Sequence, residues 1–225
     1  MVPATCPTVV AVRILLADDH PLFRLALAQS VRAVAPAAEL AEVATFDEAR
    51  ADLARHADTD LVLLDLDMPG SHGLIGLATL RAEHPAIAVA MVSAHDDDAT
   101  IRRALAFGAA GYLSKRSSAD ELAEALRSVL DCRTWLPPTV RDSIASAPAP
   151  DDRALAARLA SLSPQQMRVL GLVAEGLLNK QIADRLGVQE RTVKAHLSAI
   201  FDRLGVRNRT QAGVLLRSLQ PLESS

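Results

Sequence analysis

Residues 61–70 read LVLLDLDMPG, and this stretch indicates the fold more strongly than any other part of the sequence. Its first five residues form a short hydrophobic run, which is typical of a strand buried in a parallel sheet. The run ends on an acid, Asp65, and a second acid, Asp67, follows two residues later before a Met-Pro-Gly turn. Carboxylates at the mouth of a buried strand predict a polar site at that edge of the sheet.

Four further apolar runs of similar length lie on either side, at residues 13–17, 40–44, 87–92 and 111–113. The segments between the runs place apolar residues three and four positions apart, which is the periodicity of helices. Two of these helices are predicted to begin with a capping box, formed by Thr45 with Glu48 and by Ser118 with Glu121. The alternation predicts an α/β fold with a doubly wound, flavodoxin-like, five-stranded parallel sheet in the order 2-1-3-4-5.

Polar side chains follow the predicted strands at the point where the chain leaves the sheet. They are Asp18 and Asp19 after the first strand, Asp65 at the end of the third, Ser93 after the fourth and Lys115 after the fifth. Parallel strands finish on the same side of a sheet, so we expect all five in one crevice. Three carboxylates at close range repel each other, and a divalent cation relieves the repulsion. Oxygen ligands of this kind favour Mg²⁺.

This constellation predicts phosphoryl chemistry. A carboxylate beside a divalent cation is able to attack a phosphoryl donor and form an aspartyl phosphate. Lys115 would neutralise charge on the transferring group, and Ser93 would hydrogen-bond one of its oxygens. The alternative is that these acids are solvated loop residues, which suits each acid taken alone better than the set. His20, His72 and His95 show no metal-site spacing and are interpreted as surface loop residues.

The composition changes in the last two fifths of the chain. Residues 134–152, TWLPPTVRDSIASAPAPDD, are rich in Pro, Ala, Ser and Asp and predict a linker with some ordered pieces, followed by a short helix over 153–160. Beyond residue 160 the pattern predicts four short helices and no strand. Residues 161–225 carry nine basic and five acidic side chains, whereas the whole chain has a net charge of −3. A small basic helical unit is compatible with nucleic-acid binding.

Residues 179–204, NKQIADRLGVQERTVKAHLSAIFDRL, have the pattern of a helix-turn-helix: a helix, a turn containing glycine and a second helix. Apolar residues line one face of each helix, and the other face of the second helix is polar or small. We expect that face to enter the major groove and nearby cations to meet phosphates. The candidate residues are Lys180, Arg191, Thr192, Lys194, Ala195, Ser198, Arg207 and Arg209. A helical hairpin with a solvated basic face also fits this pattern.

The first part of the chain resembles the receiver domain of bacterial two-component response regulators, over roughly residues 12–131. The resemblance is carried by LLADDH, DLDMPGSHG, VSAHDD and GAAGYLSK, which follow or surround four of the predicted strands. It implies that Asp65 is the phosphoacceptor, that Ser93 and Tyr112 form a switch pair and that Lys115 is the pocket lysine. The residues that it assigns to Mg²⁺ are Asp18 (mainly through water), Asp19, Asp65 and the backbone carbonyl of Asp67.

Residues 162–212 are similar to the four-helix DNA-binding domain of the LuxR type, so the whole chain resembles a NarL/FixJ-class response regulator. The implied domains are a receiver (12–131), a linker (132–160) and a DNA-binding domain (161–225). In that family the groove-facing residues match Thr192, Val193, Lys194, Ala195 and the surroundings of Ser198. Gln165 and Gln166 stand where the family commonly has Arg and Glu.

The resemblance implies a transcription regulator and not an enzyme. A sensor histidine kinase would phosphorylate Asp65, and two copies would bind double-stranded DNA as a homodimer through the last helix, at about residues 208–219. Two alternatives stay open. A receiver controlled by a ligand or a partner would keep the DNA binding, whereas a D-x-D phosphatase would use Asp65 and Asp67 but would need a substrate cap and a different continuation after Asp67.

Bulk features predict a cytoplasmic setting. The two cysteines, Cys6 and Cys132, make no disulfide framework, which favours a reducing compartment. The first residues, MVPATCPTVVAVR, lack the basic start of a signal peptide and contain two prolines. No apolar run reaches the roughly 18 residues that a membrane span needs, so we expect no membrane association.

Overall fold

The sheet determines how the first half of the molecule is arranged. The structure is a computed structural model that describes residues 12–144 and 150–219. Its five parallel strands are β1 (Arg13–Ala17), β2 (Glu39–Val43), β3 (Leu61–Asp65), β4 (Ala88–Ser93) and β5 (Gly111–Ser114). They pair in the order β2-β1-β3-β4-β5, which confirms the predicted topology. Because β1 and β3 are neighbours, the residues that follow them meet at the point where the strand order reverses.

Helices cover both faces of the sheet, as the alternation of strands and helices predicted. They are α1 (Pro21–Val34), α2 (Phe46–Arg55), α3 (Leu74–Glu83), α4 (Asp98–Ala106) and α5 (Ala119–Leu130). Both predicted capping boxes are present, at the start of α2 and of α5. Successive strand residues point to opposite faces, so Ile14 and Leu16 pack beneath α1 and α5, while Leu15 and Ala17 belong to the core on the other face.

The segment after α5 is more ordered than its composition indicated. Trp135 pairs with Gly111 at the edge of the sheet, and its carbonyl accepts a hydrogen bond from the Tyr112 amide. The Trp135 side chain is buried in the core beneath α1 and α5. Two helices follow, α6 (Pro138–Ile144) and α7 (Pro150–Ala160), so the short helix predicted at 153–160 begins three residues earlier. Residues 145–149 of the predicted linker lie outside the described residues.

The C-terminal region contains the four predicted helices. They are α8 (Pro164–Ala174), α9 (Asn179–Leu186), α10 (Glu190–Leu204) and α11 (Arg209–Arg217). Ser163 and Gln166 form the capping box that the sequence predicted for α8. Gly187 and Gly205 end α9 and α10 in the left-handed conformation, which glycine adopts without steric cost. Residues 220–225, the end of the predicted DNA-binding domain, lie outside the described residues.

The C-terminal helices pack against the sheet-bearing half through α3 and α4. α3 contacts α7 and α8, and α4 contacts α6 and α7, so one apolar core runs through both halves. Within residues 12–144 and 150–219, no helix combines the length and apolarity that crossing a bilayer requires.

Candidate functional site

Three acidic side chains meet at the carboxyl ends of β1 and β3. Asp18 and Asp65 are each 1% exposed, and the Asp19 side chain is about one third exposed. One ligand atom from each of Asp18, Asp19, His20 and Asp65 falls in a group whose members all lie within 4.8 Å of one another. The predicted convergence of the three carboxylates is therefore present in the structure.

Lys115 closes the pocket from the end of β5. Its Nζ lies 2.9 Å from Asp65 Oδ2 and 2.8 Å from Asp18 Oδ2, and only 12% of its side chain is exposed. Burial alone would lower the pKa of Lys115, but hydrogen bonds to Asp18 and Asp65 outweigh burial and hold the pKa above the ordinary lysine value. Lys115 is therefore a fixed positive charge beside Asp65.

Asp65 is as deeply buried as Asp18. Burial raises its pKa above the ordinary aspartate value, and the opposing hydrogen bond from Lys115 does not offset this. Its Oδ1 accepts a hydrogen bond from the Asp67 amide at 3.2 Å, which holds the β3–α3 loop (residues 66–73) against the carboxylate. A buried carboxylate with one oxygen on a lysine and the other on a backbone amide is held in one orientation, as a nucleophile requires.

The pocket residues fit a divalent cation. Asp18 Oδ2 and Asp19 Oδ1 are buried carboxylate oxygens that lie close to the Asp65 carboxylate. Lys115 Nζ lies 2.8 Å from the first and His20 Nδ1 lies 2.7 Å from the second. Carboxylate oxygens gathered in this way are the ligands that Mg²⁺ prefers.

Ser93 and Tyr112 are fully buried, and the Ser93 carbonyl accepts a hydrogen bond from the Lys115 amide at 2.7 Å. The Ser93 hydroxyl accepts a hydrogen bond from the His95 amide at 3.0 Å, and the Tyr112 hydroxyl donates to the His95 carbonyl. Burial raises the pKa of Tyr112, so its hydroxyl remains protonated and available as a donor. The two side chains predicted as a switch pair are therefore linked through one residue of the β4–α4 loop.

The three histidines interpreted as surface loop residues all have specific contacts. His20 Nδ1 approaches Asp18, Asp19 and Asp65 from the rim of the pocket. His95 Nε2 lies 3.2 Å from Asp67 Oδ2, and His72 Nε2 lies 3.4 Å from Glu175 Oε1 in the C-terminal half. All three histidines lie in loops, as interpreted, but the side chains of His72 and His95 are only 17% and 23% exposed and are therefore half-buried.

α9 and α10 form a helix-turn-helix whose outer face is open to solvent. Arg191, Lys194, Ala195 and Ser198 are exposed on α10, and Thr192 is half-buried. The inner face of the unit is apolar and is built from Ile182, Ala183, Val193, Leu197, Ile200 and Leu204. Neither α3 nor α4 is among the helices against which α10 mainly packs, which are α7, α8, α9 and α11.

Two residues of the predicted DNA surface require correction. Val193 is completely buried, because its position on α10 points towards α8 and α9, so direct groove contact by its side chain was a wrong prediction. The Arg209 guanidinium is half-buried and donates to the Leu177 carbonyl, where it stabilises the turn between α8 and α9. Lys180 and Arg207 are exposed, as phosphate contacts require.

Contacts between the two halves reach the loop that follows Asp65. His72 of this loop contacts Glu175, and the amide of Leu74, the first residue of α3, donates to the Leu219 carbonyl at 3.2 Å. Arg103 of α4 donates to the Ser218 carbonyl at 2.6 Å and pairs with Asp152 of α7 at 3.2 Å. The end of α11 is thus attached to both α3 and α4. No feature of the sequence pattern indicated these contacts.

Comparisons with known proteins agree with this geometry. A family model described as the response regulator receiver domain matches residues 14–127, and one described as bacterial regulatory proteins of the luxR family matches residues 160–216. Together they cover the acidic pocket and the helix-turn-helix.

Similar proteins match over most of their length. The glycerol metabolism activator of Pseudomonas putida is 41% identical over 204 residues, which cover 89% of this chain and 92% of that protein. The nitrate/nitrite response regulator protein NarL of Escherichia coli is 34% identical over 203 residues, with 89% and 93% covered. Among solved structures, RcsB from Salmonella enterica serovar Typhimurium bound to promoter rprA has a TM-score of 0.54 at 21% identity, covering 93% of this chain and 100% of that one. The RcsB likeness concerns the fold.

Proposed function

Because this chain belongs to the NarL/FixJ class of two-component response regulators, in which a receiver controls a LuxR-type DNA-binding domain, we propose that Asp65 is the phosphoacceptor of this transcription regulator. The observation that carries the proposal is the placement of the Asp65 carboxylate. It is 1% exposed and lies between the Lys115 ammonium and the Asp67 amide at the mouth of β3. The domains proposed for these roles are residues 12–131 and 161–225, with the linker at 132–160.

The proposed reaction transfers a phosphoryl group from a histidine nitrogen of the kinase to a carboxylate oxygen of Asp65. An Asp65 carboxylate oxygen attacks the phosphorus of a phosphohistidine on a sensor histidine kinase, the phosphorus–nitrogen bond breaks and an acyl phosphate forms. Asp19, Asp65 and the Asp67 carbonyl would hold Mg²⁺ directly and Asp18 mainly through water, and the bound ion would neutralise charge on the transferring group. Lys115 adds a fixed positive charge on the Asp65 side of the pocket, since its ammonium contacts the same carboxylate.

The β4–α4 loop would change conformation in response to the phosphoryl group on Asp65. Ser93 is buried next to the pocket, and its hydroxyl is able to donate to a phosphoryl oxygen while the His95 amide still donates to it. A shift of Ser93 would move His95, to which the Tyr112 hydroxyl donates. Since α4 begins immediately after this loop, the change reaches Arg103 and its contacts with Asp152 and Ser218.

We propose that these contacts restrain α11 and leave the recognition face of α10 open. The family often dimerises through its last helix, and here Leu219, at the end of that segment, is buried and bonded through its carbonyl to α3. Val214 on the same helix is 56% exposed. Phosphorylation would loosen the α4 and α3 contacts, so that two copies pair through α11 and bind two half-sites about one helical turn apart.

Phosphorylation is tested with Mg²⁺ and acetyl phosphate, followed by mass spectrometry of the intact chain. The wild-type protein should gain one phosphoryl group, Asp65→Asn should gain none, and Asp67→Asn should retain measurable uptake because its side chain lies outside the group of pocket ligands. Uptake by Asp65→Asn, or loss of uptake in Asp67→Asn alone, would contradict the assignment. A wild-type chain that takes up no phosphoryl group would favour a receiver controlled by a ligand or a partner.

DNA binding is tested with Lys194→Ala, whose exposed ammonium is paired only with Glu190 of the same helix among the ion pairs of the described residues. Binding to genomic fragments should weaken as salt rises, and the slope should be shallower in the variant by about one unit for each phosphate that the protein no longer neutralises. Glu190→Ala is the matched control, since it removes the partner without removing the cation. An unchanged salt slope in Lys194→Ala would exclude this face from the DNA interface.

A further inference from the structure

His20 brings a nitrogen donor to the rim of a pocket otherwise built from oxygens. Its Nδ1 lies 2.7 Å from Asp19 Oδ1, 3.3 Å from Asp18 Oδ1 and 3.8 Å from Asp65 Oδ2. The backbone is held in place, because the His20 amide donates to Asp18 Oδ1 at 2.7 Å and Pro21 begins α1 immediately afterwards. The ring therefore faces the acids from a fixed point of attachment.

The spacing of these atoms suits one shared ion. Two neighbouring ligands with bonds of about 2.1 Å lie about 3 Å apart when they subtend a right angle at the ion. The distances from His20 Nδ1 to the three carboxylates, 2.7–3.8 Å, bracket that value. One ligand atom from each of Asp18, Asp19, His20 and Asp65 lies within 4.8 Å of all the others, so a single ion is able to reach all four side chains.

We propose that His20 Nδ1 is a protein ligand of the ion in the acidic pocket, which therefore favours first-row transition ions such as Mn²⁺ over Mg²⁺. This inference rests on the proposed function of the pocket as a divalent-cation site. Mg²⁺ binds oxygen ligands almost exclusively, whereas first-row transition ions accept imidazole nitrogen as well as carboxylate. A single histidine in place of an oxygen donor or a water thus shifts the preference among ions without changing the acids.

His20 is able to bind an ion without losing much packing with the rest of the protein. Its side chain is 63% exposed, so the ring turns towards the pocket without leaving a packed environment. Its close neighbours are the three acids and the Lys115 ammonium, 3.3 Å from Nδ1. When an ion binds the carboxylates, Asp19 no longer attracts the His20 ring as strongly. Nδ1 of His20 is then available to bind the ion.

Electron paramagnetic resonance of Mn²⁺ bound to the full chain at pH 7.5 tests the proposal. The spin-echo spectrum of the wild-type complex should show the ¹⁴N modulation of a directly bonded imidazole, and His20→Gln should lack it. Mn²⁺ affinity, measured from the free-ion signal, should fall about tenfold or more in His20→Gln, as expected when one ligand is removed, whereas Mg²⁺ affinity measured by competition should change by less than about threefold.

His56→Gln is the matched control. His56 also lies beside a carboxylate, with Nδ1 3.2 Å from Asp52 Oδ1, but it ends α2 at the opposite edge of the sheet and should leave the ¹⁴N signal unchanged. A wild-type complex without ¹⁴N modulation, or modulation that persists in His20→Gln, overturns the role of His20. If Mn²⁺ still binds and Asp65→Asn abolishes that binding, the cation pocket itself stands. If the wild-type chain binds neither Mn²⁺ nor Mg²⁺, both proposals fall.

Discussion

At the scale of single residues, Asp65 illustrates how a binding site costs stability. Its carboxylate is buried next to Asp18, and burial raises its pKa above the ordinary value of 3.8. A raised aspartate pKa means that the ionised form is less favourable in the folded chain than in the unfolded chain. Without a bound cation, the ionised Asp65 therefore lowers the free energy of unfolding at neutral pH.

Asp65→Asn should accordingly stabilise the protein in EDTA at pH 7, by on the order of 1 kcal/mol, a typical effect of one substitution. The gain should shrink as the pH falls below the raised pKa of the folded chain, and it should vanish below the ordinary aspartate pKa of 3.8, where the carboxyl group is protonated in both states. Chemical denaturation of both proteins at several pH values measures this difference in the free energy of unfolding. Asp58→Asn, at an exposed position, should change little. A less stable Asp65→Asn at pH 7 would contradict this account.

At the scale of elements, the start of α8 shows how one polar side chain joins two helices. Ser163 and Gln166 form the capping box, and Gln166 Oε1 also accepts a hydrogen bond from Arg203 of α10 at 2.8 Å. Gln166 is only 7% exposed, so this oxygen is shared by the two helices in a largely dry place. The sequence indicated the cap, whereas the bond to α10 depends on how the helices pack.

Gln166→Glu should raise the free energy of unfolding by about 0.5–1 kcal/mol, because a carboxylate strengthens the bond from Arg203 and suits the helix N-terminus. Gln166→Ala should lower it by about 1–2 kcal/mol, since alanine makes neither the capping bond nor the bond with Arg203. Gln165→Glu adds the same charge one residue earlier, away from the capping bond, and should give a smaller gain. A destabilised Gln166→Glu would mean that carboxylate desolvation outweighs the ion pair.

At the scale of the whole molecule, the two halves are joined where the start of α3 and the middle of α4 meet the end of α11. Arg103 binds Asp152 and the Ser218 carbonyl, and the Leu74 amide binds the Leu219 carbonyl. If these bonds couple the two sites, the factor by which phosphorylation raises the affinity for DNA equals the factor by which bound DNA favours the phosphorylated receiver at equilibrium.

Arg103→Ala should release α11 without phosphorylation. We expect its affinity for DNA to rise roughly fivefold or more, within the range of typical coupling energies, together with a larger dimer fraction. Fluorescence anisotropy and light scattering of the unphosphorylated chain measure both. Arg102→Ala is the control, because Arg102 pairs with Asp98 inside α4. Equal affinities of the Arg103→Ala and wild-type proteins would show that this contact does not restrain binding.

Four properties could be predicted from the sequence: the order of elements, the sheet topology, the helix caps and the edge at which the acids collect. These properties depend on periodicity and on neighbours along the chain, which the sequence displays directly. The exact ends of the strands were not all predicted. β2 begins at Glu39, which pairs with Arg13 of β1, and not at residue 40.

The contacts between side chains far apart in the chain required the tertiary structure. Packing brought His20 to Asp65, placed His95 beside Asp67 and attached the end of α11 to the start of α3. Such contacts depend on the packing of elements that local sequence does not constrain, because similar hydrophobic faces permit several relative placements of two helical units. The convergence of the acids in one pocket could therefore be predicted from the sequence, while the contacts of the neighbouring loop and helices with the C-terminal helices could not.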